Sequence, residues 1–279
     1  MYKEIIYDVK GAAAIIKLNR PDQLNALTLA MLTELRDALG KAEKDESVVG
    51  VVLTGEGNGF SAGMDLSFLD NVKAGEKGIT DVNGGREEGT PGDEEMGENF
   101  QITYSYIMSI RKPVIAAING PCAGLSLAIA MFCDIRFTTP DAKFKTAFAV
   151  MGLVAEHGLS WILPRVVGPS KALDLLWTSR TFLGDEAKEI GLVDFVVSQD
   201  NIVNSAVEYI EGLAKTSAPI SMQMMKKQVY KHLNMSLKDA MIESNNLLAE
   251  SLQRSDFKEG VNAFVEKRAP KFKPVTVQQ

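Results

Sequence analysis

Apolar residues in this chain fall into short unbroken runs separated by stretches in which they recur every three or four positions. Residues 12–18, 48–54 and 113–118 are such runs, each bounded by turn residues, which is how strands buried on both faces read. Between the first two, Thr28 can cap a helix through Asp45 whose Leu29, Leu32, Leu35, Ala38 and Leu39 recur at helical spacing. A fourth run at 134–139 follows a helical stretch over 125–132, and a fifth at 192–197 follows one over 184–190. Strand, helix, strand in repetition predicts an α/β core with parallel pairing and right-handed crossovers.

Two stretches depart from that alternation. Residues 71–99 mix Gly75, Gly78, Gly84, Gly85, Gly89, Gly92 and Gly97 with acids and carry few large apolar side chains, which predicts a flexible lid. From residue 201 onward only helical periodicities remain, at 201–215, 219–231, 236–252 and 256–267. Helices without a sheet of their own must bury their stripes elsewhere, on the core or on another subunit. The expected division is therefore an α/β core over 1–200 and a helical C-terminal region over 201–279.

Composition narrows the partners. The 279 residues are 46% hydrophobic and 24% charged, with a formal net charge of -6 and no basic run, so nucleic acid is not an expected partner. No apolar stretch approaches the roughly 18–20 residues of a membrane span, and the start has no signal-like pattern. We expect a cytoplasmic protein with no membrane partner. Cys122 and Cys133, the only cysteines, sit in apolar surroundings and are expected to be reduced and packed. Two distant histidines and no cysteine pair at ligand spacing predict no metal site.

Two glycine-bearing turns carry the chemistry: Ser61-Ala-Gly-Met-Asp-Leu66 and Asn119-Gly-Pro-Cys-Ala-Gly-Leu-Ser126. Each sets a backbone N–H after a sharp bend at a strand end, and the second opens a helix, whose N-terminus favours negative charge. Two fixed donors aimed at one point stabilise charge on a carbonyl oxygen. Each turn taken alone also reads as an ordinary packing turn.

Together with Leu18-Asn-Arg-Pro-Asp-Gln-Leu-Asn-Ala-Leu27, Lys112-Pro-Val-Ile-Ala-Ala-Ile-Asn-Gly120 and Glu259-Gly-Val-Asn-Ala-Phe-Val-Glu-Lys-Arg268, these turns make the chain resemble the enoyl-CoA hydratase/isomerase, or crotonase, family over nearly its whole length. The resemblance implies a spiral of ββα units, an α-helical C-terminal trimerisation region giving a homotrimer or dimer of trimers, and acyl-CoA thioester substrates of the kind met in fatty acid metabolism. Coenzyme A would enter as part of the substrate, with no permanently bound cofactor. The oxyanion donors would be the N–H groups of Met64 and Leu125. Leu125 stands where the family often has glycine. Asn25, Ala26, Ala62, Asp65 and Leu66 would border the nucleotide and pantetheine, and Phe264 and Lys267 would reach a neighbouring subunit's coenzyme A. Taken by themselves, Asp65 reads rather as a helix cap, and Phe264 and Lys267 read equally as a core aromatic and a solvated charge.

The family's archetypal hydratases place two glutamates over the alkene; here those positions are Ala128 and Phe148, which can neither activate water nor deliver a proton. Glu156 matches instead the single carboxylate of the peroxisomal-type enoyl-CoA isomerases. A lone carboxylate can move a proton from C2 to C4 if the dienolate oxygen is held. Leu153, Val154, Leu159 and Trp161 are expected to surround it with apolar matter and raise its proton affinity. Glu156 could also be a solvated acid or an ion-pair partner of Arg165. His157 is expected to be structural, because neighbours in extended backbone point opposite ways. Phe60, Met64, Leu125 and the lid are expected to shape the acyl pocket. The expected activity is isomerisation of an enoyl-CoA. Alternatives are hydration through Glu156 or a lid acid such as Glu87, Glu88 or Asp93, thioester hydrolysis, though no Gly-x-Ser-x-Gly elbow supplies its nucleophile, and acyl-CoA binding without turnover.

Overall fold

The structure, a computed structural model, describes residues 2–74 and 89–275. A six-stranded sheet runs in the order β1 (Ile5–Lys10), β2 (Ala13–Leu18), β3 (Gly50–Gly55), β4 (Val114–Ile118), β6 (Ile135–Thr138), β9 (Phe195–Val196). All neighbours are parallel except β1, which forms a hairpin with β2. A three-stranded sheet of β5 (Cys122–Ala123), β7 (Lys143–Lys145) and β8 (Phe182–Leu183) lies beyond the end of β4.

The helices are α1 (Leu29–Lys44), α2 (Leu66–Lys73), α3 (Tyr106–Ser109), α4 (Leu125–Phe132), α5 (Leu159–Val167), α6 (Pro169–Thr178), α7 (Gly184–Glu189), α8 (Ile202–Thr216), α9 (Pro219–His232), α10 (Leu237–Ser251) and α11 (Ser255–Glu266). Thr28 caps α1 by accepting from the Met31 N–H at 3.0 Å. The buried stripe of α1 runs through Met31, Leu32, Leu35, Ala38, Leu39 and Ala42, while Leu29 faces solvent.

Both faces of the main sheet are covered, as unbroken apolar runs require. Ala14, Ile16, Leu18, Val51, Leu53 and Ala116 face a core shared with α1 and α4, and Ala13, Ile15, Val52, Ile115 and Ala117 face a second core closed by Ile202, Ala206, Val207 and Ile210 of α8. The first of the C-terminal helices is thus a layer of the α/β core. Helix α9 is docked by Asp134, whose carboxylate accepts from Lys226 Nζ and from the Tyr230 hydroxyl, each at 2.8 Å. Helices α9, α10 and α11 leave Met225, Val229, Leu237, Met241, Ile242, Leu248, Phe264 and Val265 exposed.

Of the 71–99 segment, residues 75–88 lie outside the described residues. The described end forms single 3-10 turns at Glu94–Met96 and Glu98–Phe100 with Met96 and Phe100 buried. Asp93 there accepts from the buried Lys227 of α9 at 3.1 Å. Cys122 and Cys133 are free and buried, and burial pushes both thiols up to about 12. No helix among the described residues is long and apolar enough to cross a membrane.

Candidate active site

Loops leaving the carboxyl ends of β2, β3 and β4 meet at one end of the sheet. Two asparagines tie them. Asn25 is fully buried, and its side-chain amide donates to the Glu56 and Gly59 carbonyls while its oxygen accepts from the Arg20 N–H. Asn119 donates to the Gly55 and Gly57 carbonyls, each at 2.9 Å. With every strong donor of these side chains engaged on backbone, the loops behave as one block.

The two glycine turns then touch. Ser61 pairs with Cys122 and Leu27 with Met64 as isolated parallel bridges. A Cβ on Gly63, whose φ is +97°, would lie 2.7 Å from the Ala123 carbonyl oxygen and 3.8 Å from the Leu125 nitrogen. Only glycine allows this approach. Gly124, at φ +54° and ψ -122°, turns the chain into α4. Ser126 in the first turn of that helix is fully buried; its hydroxyl donates to the Ser61 carbonyl at 2.7 Å and accepts from the Ala123 N–H at 2.9 Å. Among the described residues, neither the Met64 nor the Leu125 N–H donates to a group of the chain. Both residues line one cavity of about 850 Å³. Two free amides beside a cavity, that of Leu125 at a helix start, can hold a developing oxyanion.

Glu156 and His157 line the same cavity, with Phe68, Phe100, Tyr104, Met108, Phe132, Phe148 and Trp161 making most of its wall. The titratable lining residues are Tyr104, Glu156 and His157. Phe148 thus contributes hydrocarbon, while Ala128 is fully buried behind the lining. Phe60, expected to shape the pocket, is instead wholly in the core and does not line it. Phe100, Tyr104, Met108 and Asn234 were not foreseen; three come from the segment after the glycine-rich stretch, where the sequence shows no clear period. Ser126 did leave a signal, as the one polar residue in the apolar run of α4.

The surroundings of Glu156 differ from expectation. Leu153 and Val154 are exposed, Val154 at 78%, and the Glu156 side chain itself is 31% exposed. Arg165 does not pair with it: its guanidinium stacks 3.9 Å over the Trp161 ring and donates to the Trp161 carbonyl. His157 sits at φ +53°, not in extended backbone, so the two adjacent side chains turn to the same side. Their Nε2 and Oε2 atoms are 3.1 Å apart. Burial pushes the imidazole below its ordinary range, and the neighbouring Glu156 opposes this.

The residues expected on the coenzyme A side divide between two that line the cavity and five that do not. Ala62 and Leu66 line the cavity, and Leu66 is 75% exposed; Asn25, Ala26 and Asp65 do not line it. Asp65 caps the start of α2, accepting from the Ser67 N–H and hydroxyl and pairing with Arg20 at 2.8 Å. The Ser67 hydroxyl and Arg20 hold its carboxyl below the usual range. Phe264 is 85% exposed at the end of α11, and Lys267 closes that helix in a left-handed conformation. Among the described residues no group of three or more His, Cys, Asp or Glu side chains is placed to hold a metal ion.

Comparison with known proteins shows the family and the fold. The model of the enoyl-CoA hydratase/isomerase family matches residues 8–275. The crotonyl-CoA hydratase of Syntrophomonas wolfei is 32% identical over 97% of this chain and 98% of its own, and the short-chain-enoyl-CoA hydratase of Clostridium acetobutylicum is 31% identical over 95% of each. The crystal structure of an enoyl-CoA hydratase from Bacillus anthracis superposes with a TM-score of 0.84 at 28% identity, covering 97% of this chain and 99% of that one. The chain belongs to the enoyl-CoA hydratase/isomerase family, a family of enzymes that act on coenzyme A thioesters, and has the crotonase fold.

Proposed function

We propose that this protein shifts the double bond of an enoyl-CoA thioester, with the N–H groups of Met64 and Leu125 as the oxyanion hole and Glu156 as the proton shuttle. One observation carries the reading: Glu156 is the only carboxylate among the described residues lining the cavity that both free amides border. Its carboxylate takes a proton from C2 of a 3-enoyl thioester. The electrons move into a dienolate whose oxygen the two amides hold, and the same proton returns at C4 to leave the 2-enoyl product. One base suffices, and no water enters the product. The wall of Phe68, Phe100, Phe132, Phe148 and Trp161 suits an apolar acyl group.

The Syntrophomonas and Clostridium relatives, both named hydratases, favour a second reading, hydration of a 2-enoyl-CoA. Among the described residues lining this cavity, water addition would also run through Glu156, since Ala128 and Phe148 offer no acid; the lid acids Glu87 and Glu88 lie outside the described residues. Around the mouth, Ala62 and Leu66 would border the pantetheine, with Asn25, Ala26 and Asp65 shaping the loop beneath. The exposed apolar stripes of α9, α10 and α11 support a homotrimer or dimer of trimers, in which Phe264 and Lys267 of a neighbouring copy would reach the coenzyme A.

A panel of 3-enoyl-, 2-enoyl- and saturated acyl-CoA thioesters incubated in heavy-oxygen water and read by mass spectrometry tests the assignment. Isomerisation gives a 2-enoyl product with no added label. Labelled 3-hydroxyacyl-CoA as the sole product would replace this reading with hydration, and labelled free acid would replace it with hydrolysis. No conversion of any thioester would leave only a binding protein.

A further inference from the structure

We propose that His157 is the positioning partner of Glu156, its Nε2–H held on the carboxylate Oε2 so that the two side chains take up and release a proton as one unit. The inference rests on the reading of Glu156 as the base and adds to it the group that orients that base. Four observations carry it. The two side chains approach to 3.1 Å. They do so because His157 adopts φ +53°, a left-handed conformation that is strained for a residue with a Cβ. The strained turn is fixed from behind: the next residue, Gly158, is also left-handed at φ +77°, and a Cβ there would lie 2.9 Å from Cζ of Phe132. The imidazole is fixed from the side by Tyr104, whose buried ring meets it edge-on with centroids 5.5 Å apart. A surface histidine that merely neighbours an acid needs none of this.

The groups facing His157 are few. Glu156 comes from its own loop and Tyr104 from the turn before α3. Phe132 of α4 and Trp161 of α5 bring no charge, and Arg165 is engaged on Trp161. Burial holds the imidazole neutral at a pH where free histidine begins to charge. A neutral ring with its proton on Nε2 donates to Oε2 and leaves Oε1 for the C2 proton. A proton taken up by two groups in such contact belongs to the pair and not to either residue, so removing the imidazole changes how the pair meets acid.

The test compares pH profiles of kcat/KM for wild type, His157→Gln and His157→Leu. His157→Gln retains an N–H where Nε2 stood but cannot titrate. It should keep kcat at pH 8 within about threefold, while the acidic limb moves about one pH unit lower. His157→Leu should lose about tenfold or more in kcat with KM within about twofold, as for a misoriented base. An acidic limb unmoved in His157→Gln, or wild-type kcat in His157→Leu, overturns the proposal. A measurement independent of these variants uses the fact that the chain has only two histidines: the imidazole titration of His157 followed by NMR should move to lower pH in Glu156→Gln, and an unchanged titration overturns the pairing. If Glu156→Gln turns over substrate like wild type, the base assignment falls and this inference with it. An inactive Glu156→Gln beside an unmoved limb overturns this inference alone.

Discussion

Gly63 and Ser126 hold the two turns together at the wall of the cavity that both free amides border. A methyl group on Gly63 would meet the Ala123 carbonyl and force a positive φ on a residue with a Cβ, so Gly63→Ala should lose about 2–3 kcal/mol in urea denaturation and most turnover. Ser126→Ala removes a buried hydroxyl that both donates and accepts across the turns. It should cost about 1–2 kcal/mol and lower kcat about tenfold while leaving thioester affinity nearly intact, because the amides would drift without closing the cavity. Wild-type kcat in a destabilised Ser126→Ala would mean the tie is structural only. At this scale the two glycine turns were legible in the sequence, and Met64, Leu125 and Glu156, which the family resemblance singles out, line one cavity. The sequence was silent where chemistry depends on one dihedral. Nothing in Glu156-His157-Gly158 announces that His157 turns left-handed, and extended backbone would have sent its ring away from the acid.

Legibility did not follow length alone: helices α5 and α6, of nine and ten residues, were not foreseen, while the shorter α7 and β6 were. Helices α1, α4, α8, α9, α10 and α11 begin and end within two residues of where apolar spacing and caps place them, as do β2, β3, β4 and β6. Strand β1 escaped because it is an edge strand with Ile6 and Val9 exposed, so its apolar residues mark no single face. Strands β5, β7 and β8, of two or three residues, are too short to carry any alternation and exist only because the turns around Cys122 bring them together. Helix α9 illustrates what periodicity omits. Its place is set by polar anchors, Lys226 and Tyr230 on Asp134 and Lys227 on Asp93, and Asn234 just past its end lines the cavity. Tyr230→Phe should cost about 1–2 kcal/mol and speed hydrogen exchange in α9 ahead of the sheet. Equal protection of α9 in both proteins would show that apolar packing alone seats the helix.

For the molecule as a whole, one buried cation gives stability a definite pH dependence. Lys112 donates to the carbonyls of Ala42 and Asp45, and burial lowers it from 10.5 to about 8. Between those values the unfolded chain holds a proton that the folded one has released, so this residue's contribution to stability rises with pH from about 8 to 10.5. Wild type should therefore gain stability relative to Lys112→Met between pH 7.5 and 10 in urea titrations, and a constant difference would contradict the shift. The exposed apolar stripes of the last three helices, taken with the trimeric assembly that the family resemblance implies, predict a sedimentation mass three or six times that of the chain, and a monomer at micromolar concentration would contradict a subunit interface there. The central claim is that one carboxylate serves two free amides across a single cavity. Its most direct test is the rate at which wild type and Glu156→Gln convert a 3-enoyl-CoA to the 2-enoyl isomer under saturating substrate. The account predicts a loss of about 10²-fold or more in kcat, with binding of the thioester retained; an unchanged kcat would contradict it.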